Sequence, residues 1–315
     1  MRSAISQAVS TILVVAGMLF QPAVQPLFAH SIDDVTKALE ERRAGIQTLR
    51  CIAEGEETFR AGAFDHVLND GFAEYPPGTK PPVPEKDQTF PYAYGCLLDF
   101  PNHRARVEVR MPIHIPKSIS FQQSLQVRAF DGEVHRLLQP RDLKASSPLN
   151  QLFDNQPQPF GYNSECAPLL ACGYLTPQLL PQNVRHGMVS APADQLKIAR
   201  NEDVGGISTM VLRADVEAGS FYDEYWVDPS AEFRVVKWVR FTGGQQHASI
   251  DLVYADRTKD ARLASFTQTQ FWEGKRTEVY SVKVRDWTVN PPVEKSNFVL
   301  TRESQLMLLS PEQKK

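Results

Sequence analysis

The chain carries seven histidines and four cysteines among 37 acidic and 34 basic side chains, so chemistry is where its reading starts. His103, His114 and His135 fall near neighbouring predicted strands and could converge on a metal ion. Their spacing matches no ligand signature, and histidines on an exposed strand face explain them as well. Asp223, Glu224 and Asp228 could share a proton as paired carboxylates. They border a turn, where solvated carboxylates are the plainer reading. HExxH and GxSxG are absent, because Gly206-Ile207-Ser208 lacks the second glycine. Gly274-Lys275-Arg276-Thr277 hints at a phosphate loop, but it lacks the upstream glycine and sits in a predicted hairpin turn. Tyr222, Tyr225, Trp226 and Trp238 could line a sugar or lipid site, or simply pair across strands. No catalytic or metal site follows, and no cofactor is called for.

The cysteines carry a question of compartment. Residues 1–29 begin with Arg2, continue with the uncharged run AVSTILVVAGMLF from Ala8 to Phe20, and end in Leu27-Phe28-Ala29. This has the layout of a secretory signal peptide cleaved near Ala29, which would leave a periplasmic or secreted chain with no further apolar run able to span a bilayer. An exported chain with four cysteines usually pairs them. Cys51 and Cys96 each fall in a predicted strand, and Cys166 and Cys172 lie close together in a loop-rich stretch. The pairing 51–96 with 166–172 is expected, with buried thiols as the alternative. Formal charge is −3, with acids and bases interspersed and no basic block that would follow a phosphate backbone. Nucleic acid is therefore not an expected partner, and the chain is expected to be a monomer.

The elements that must position these residues read clearly in places. Residues 31–49 make an amphipathic helix: Ser31 can cap it, Asp33 and Asp34 suit its positive end, and Ile32, Val35, Leu39, Ile46 and Leu49 share a stripe. Strands follow at 49–59, 92–100 and 105–115, the first two separated by a connection over 60–91 with six prolines. The alternation at 105–115 is strict. Ala105, Val107, Val109, Met111, Ile113 and Ile115 face one way; Arg106, Glu108, Arg110 and His114 face the other. Residues 125–130 and 133–138 form a hairpin on Asp131-Gly132. Alternation is lost over 140–195, which reads as a helical insertion over the sheet. Seven strands then run from 196 to 289, broken at Gly205-Gly206, Asp228-Pro229-Ser230, Gly243-Gly244 and Gly274. The predicted class is α+β: a large curved antiparallel sheet with an N-terminal helix and a helical insertion covering its apolar face.

The order of several short motifs resembles the LolA/LolB-like superfamily of periplasmic lipoprotein carriers. Phe100-Pro101-Asn102-His103-Arg104 is similar to the family's strand-turn-strand. Phe130-Asp131-Gly132 followed by Leu138-Gln139-Pro140 is similar to its hairpin before a helical plug. Tyr225-Trp226-Val227-Asp228-Pro229, with Val235-Val236-Lys237 after it, resembles a hairpin of outer-membrane lipoprotein-sorting proteins, and Trp287-Thr288-Val289-Asn290-Pro291-Pro292 ending in Phe298 resembles their closing segment. The resemblance implies an incomplete β-barrel over 30–302 with a polar tail at 303–315. It also implies a non-catalytic binding protein that holds a lipid or a lipoprotein acyl chain. Val107, Val109, Met111 and Ile113 would then line a cavity beneath the helix. The alternative is an envelope module whose interior is filled by its own side chains. In the first of these readings, Pro291 and Pro292 end the last strand at a sheet edge and Phe298 anchors the tail on the apolar interior.

Overall fold

The computed structural model describes residues 30–61, 85–115, 120–140, 149–154, 166–175, 195–217, 221–258 and 261–309. The proposed signal segment, most of the proline-rich connection and much of the insertion lie outside these residues. Helix α1 (Ile32–Gly45) starts on a capping box: Asp34 N donates to Ser31 Oγ at 3.2 Å, and Ser31 N donates back to Asp34 Oδ2 at 2.8 Å. Such a cap is worth about 1 kcal/mol. Asp33 and Asp34 in the first turn and Arg42 and Arg43 in the last complement the helix dipole, while Val35 and Leu39 are buried.

Among the described residues, thirteen strands form one antiparallel sheet. They are β1 (Thr48–Phe59), β2 (Gln88–Asp99), β3 (Arg104–Ile115), β4 (Ser120–Phe130), β5 (His135–Pro140), β6 (Leu149–Asp154), β7 (Leu196–Val204), β8 (Ile207–Glu217), β9 (Phe221–Asp228), β10 (Arg234–Thr242), β11 (Gln245–Tyr254), β12 (Leu263–Trp272) and β13 (Lys275–Val289). Their order is β6-β5-β4-β3-β2-β1-β13-β12-β11-β10-β9-β8-β7. Two meanders are thus zipped together where β1 meets β13, and the sheet stays open, with β6 and β7 as its edges. The chain between those edges carries the short helix α2 (Cys166–Ala171), every residue of which is buried. The class is α+β with an open, curved sheet, as the sequence predicts.

The main core lies on the inner face, where side chains of β1–β3 and β8–β13 meet Val35 and Leu39 of α1 and the segment 166–175. That segment is held at several points. Tyr225 donates its hydroxyl to Leu175 O at 2.7 Å, Phe100 stacks on Tyr174 at 5.0 Å, and Arg43 donates to Gly173 O at 3.0 Å. Gly173 has φ +89, and a Cβ there would lie 3.2 Å from Leu39 O, so glycine lets the turn sit against α1.

Three expectations change at the end of the chain. β13 is central, paired with both β1 and β12, so Pro291 and Pro292 guard no edge. Asn290 instead acts as a clamp in a left-handed conformation, φ +55. Its Oδ1 accepts from Gln47 N at 2.7 Å and Thr48 N at 3.2 Å, and its Nδ2 donates to Gly45 O at 3.1 Å. The end of β13 is thereby tied to the junction of α1 and β1. Phe298 is fully buried, but on the outer face, against Leu97 and Leu308. Residues 303–309 are also not a loose polar tail: Leu308 and Leu309 are buried on the outer face of β1–β4. Gly95 leaves room for this, since a Cβ there would come within 2.7 Å of Leu308 Cβ.

This covering strip explains a buried ion pair. Arg106 and Glu108, 3% and 0% exposed, lie beneath it rather than in solvent. Glu108 accepts from the backbone N–H groups of Met307, Leu308 and Leu309 at 2.8–2.9 Å. Arg106 donates to Glu108 Oε1 at 2.9 Å, Asn297 O at 3.3 Å and Gln305 O at 2.7 Å. Each charged atom group meets several partners, the condition under which a buried pair is tolerated.

Candidate ligand-binding face of the sheet

Proline sets the local geometry of the candidate site. The β2–β3 ladder runs from Asp99–Arg104 to Ala93–Arg110 and stops there. Both strands continue, β2 paired with β1 as far as Gln88 and β3 paired with β4 as far as Ile115. Pro91 and Pro112 stand just beyond the last rung, and neither can donate a ladder hydrogen bond. The sheet therefore parts between β2 and β3. Met111 and Ile113 lie along this gap, opposite Ser124 and Gln122 of β4. Phe121 reaches to 4.9 Å from Phe90 and 4.5 Å from Phe59, and Gln123 Nε2 donates to Pro91 O at 3.1 Å.

The four residues expected to line a cavity fall into two groups. Val107 and Val109 are 1% and 6% exposed and belong to the main core. Met111 only packs against the margin of that core, and Met111, Ile113, Phe90 and Phe121 are all half-buried. The apolar lane of β3 thus begins under the core and emerges at the parted end.

Beside it the inner face turns polar. Gln268 stands opposite Tyr280, Tyr280 opposite Glu57, and Glu57 opposite Phe90. Glu57 is 3% exposed and its Oε2 has no hydrogen-bond partner; the same holds for Oε1 of Gln268 and Oγ of Ser124. Burial pushes the Glu57 carboxyl well above the usual carboxylate range, and Glu278 nearby pushes it further. Burial also raises Glu278, whose Oε2 accepts from Tyr280 Oη at 3.2 Å. A carboxyl raised in the folded state contributes fully below its ordinary pKa of about 4.5, and that contribution is lost as pH rises through the raised value. Glu57→Gln cannot ionise. Its melting temperature is expected to exceed the wild type's at about pH 8 and to match it at about pH 4. Thermal melts followed by circular dichroism check this; an equal difference at both pH values would contradict it.

The other sequence candidates separate rather than converge. Asp223 is fully buried on the inner face, held by Arg240 Nε and Nη2 at 2.9 and 3.0 Å and 3.3 Å from the Tyr225 hydroxyl. Glu224 points to the other face and takes a bidentate contact from Arg200 at 2.8–2.9 Å. Asp228 caps the turn by accepting from Ser230 N at 2.9 Å. None of the three is the solvated turn carboxylate expected, and they form no proton-sharing pair. Tyr225 and Trp238 are inner core, Trp226 belongs to an outer-face cluster, and Tyr222 stacks on Phe241 at 4.6 Å. His135 stacks on Phe130 at 4.0 Å. Among the described residues, no group of three or more His, Cys, Asp or Glu is arranged to hold a metal ion.

The four cysteines are buried thiols, and there is no disulfide among the described residues. Cys166 opens α2 and Cys172 follows its last residue. Six residues of helix advance about 9 Å, beyond the roughly 7 Å Cα limit for a bridge. Cys51 and Cys96 do face each other across β1 and β2, with a thiol–thiol hydrogen bond and burial both raising the Cys51 pKa.

No family model matches the chain, and no curated protein matches it. Among solved structures, one similar chain is a Vibrio parahaemolyticus domain described as an outer membrane lipoprotein-sorting protein. It shares 11% identity over 85% of this chain and 97% of its own, with a TM-score of 0.45. Another is in the Pseudomonas aeruginosa MucA/MucB complex, at 9% identity over 88% of this chain and 63% of that one, with a TM-score of 0.28.

Proposed function

We propose that this chain is an exported binding protein of the cell envelope that holds the apolar part of a lipid or lipoprotein at the parted end of its sheet. The observation that carries this reading is the change along β3. Val107 and Val109 are sealed under the core, while Met111 and Ile113 of the same apolar face stay half-buried beyond the last β2–β3 rung. An acyl chain laid there would bury methyl and aromatic surface at about 25 cal/mol per Å2. The polar row of Glu57, Tyr280 and Gln268 alongside would face a ligand's polar end.

A second reading is a structural or protein-interaction module. It is favoured by the inner face beneath α1 and 166–175, which is packed with side chains. Titration with a fluorescent fatty acid separates the two. The wild type is expected to bind saturably, and Ile113→Glu to weaken binding by about tenfold or more, the equivalent of losing one well-buried aliphatic contact. No saturable binding by the folded wild type, or equal binding by a folded Ile113→Glu, would favour the module reading.

A further inference from the structure

We infer that a separate cavity at the C-terminal end of α1 binds an oxyanion of the phosphate class, recognised by arginine side chains against an apolar wall that includes Trp287. The cavity holds about 470 Å3 and is lined by Arg42, Arg234, Arg262, Trp287 and, at its mouth, Glu41 and Glu232. It lies at the far end of β13 from the fatty-acid site. Val289 lines it, nine residues beyond Tyr280, which is about 30 Å of extended strand. This inference therefore stands apart from the lipid-binding reading.

Two of the guanidinium groups are held by main-chain carbonyls. Arg42 Nη2 donates to Glu232 O at 2.8 Å and to Ala231 O at 3.4 Å. Arg234, 3% exposed, donates to Asp256 O at 3.3 Å and to Thr258 O, and stacks over Tyr254 at 4.5 Å. Carbonyls fix the groups in place and carry no formal charge, while Arg234 and Arg262 both lie close enough to the Asp256 carboxylate to help lower its pKa. Burial lowers the Arg42 pKa and the nearby Arg234 lowers it further, effects that Tyr254 and Glu232 partly offset. Nη1 of Arg42 is buried with no acceptor, so part of its donor capacity is unused. Arg262 is exposed at the rim. Glu41 and Glu232 are exposed as well, where water and salt screen them more than the interior arginines. A tetrahedral oxyanion can take hydrogen bonds from more than one guanidinium, which suits this arrangement better than a neutral ligand. Ile46, Ala171 and Val289 extend the apolar wall beside Trp287.

Calorimetric titration of the purified protein in phosphate-free buffer tests the inference with inorganic phosphate, octyl phosphate and uncharged octyl glucoside as probes. Saturable binding of phosphate is expected. Tighter binding of octyl phosphate would point to a phosphorylated headgroup with a chain, and equal binding to the free anion; both outcomes uphold the site. Arg42→Gln and Arg262→Gln are each expected to weaken phosphate binding by about tenfold. Arg262 is exposed, so its variant keeps the test valid if Arg42→Gln does not fold. Ile113→Glu is expected to bind phosphate as the wild type does. No binding of either phosphate at about 10 mM would overturn the inference. So would octyl glucoside binding as tightly as octyl phosphate, or both folded arginine variants binding like the wild type.

Discussion

Glu108→Gln is expected to destabilise the protein by about 3–5 kcal/mol, the cost of breaking one partner of a buried ion pair. The carboxylate accepts three backbone N–H groups from residues 307–309 and neutralises a buried Arg106. An amide has one acceptor oxygen, and its NH2 would face donors. Arg106 would remain buried with a charge and only carbonyls for company. Against a total stability of about 5–15 kcal/mol this is a large fraction. Equilibrium urea denaturation measures it, and limited proteolysis should show earlier cleavage in the strip 291–309. A loss below about 1 kcal/mol, the usual value of an exposed ion pair, would show that the strip is not held at Glu108.

Val109→Glu and Ile113→Glu put the same charge four residues apart on one face of one strand, and they are expected to differ sharply. Val109 is 6% exposed in the main core, and the new carboxylate would have no partner there. Burying it costs several kcal/mol, enough to remove the cooperative unfolding transition or shift it far down. Ile113 is half-buried at the gap between β2 and β3, where a carboxylate can reach water. Its variant should keep the near-ultraviolet dichroism of the wild type. Two equally stable variants would mean that the inner face under α1 is open.

Local rules made much of this fold readable. The alternation of 105–115, the capping box at Ser31 and Asp34, and the Asp131-Gly132 turn all depend on near neighbours. In that turn Asp131 Oδ1 accepts from Glu133 N and Val134 N at 2.9 Å. Alternation shows that a strand has two faces but not what covers the second. The sequence places Arg106 and Glu108 on the second face and no more, because the strip that buries them comes from about 200 residues later in the chain. Phe298 was legible as an anchor for the same reason that its face was not. Strand β6, Leu149–Asp154, is short and lies in a stretch where alternation is lost, so it went unread. Pro91 and Pro112 are visible in the sequence, but only the register places both at the end of one ladder and opens the candidate site. The Arg42–Arg234 cavity has no sequence signal, because its residues come from α1, α2, β10, β13 and the chain between β11 and β12.

The central claim is that an acyl chain lies along the emergent part of β3, and paramagnetic relaxation measures that position directly. A fatty acid carrying a nitroxide near its methyl end would be added to methyl-labelled protein. Selective broadening of the Met111 and Ile113 methyl signals is expected, with Leu39 of α1 and Leu308 on the outer face little affected. Uniform weak broadening, or broadening strongest at Leu308, would contradict it.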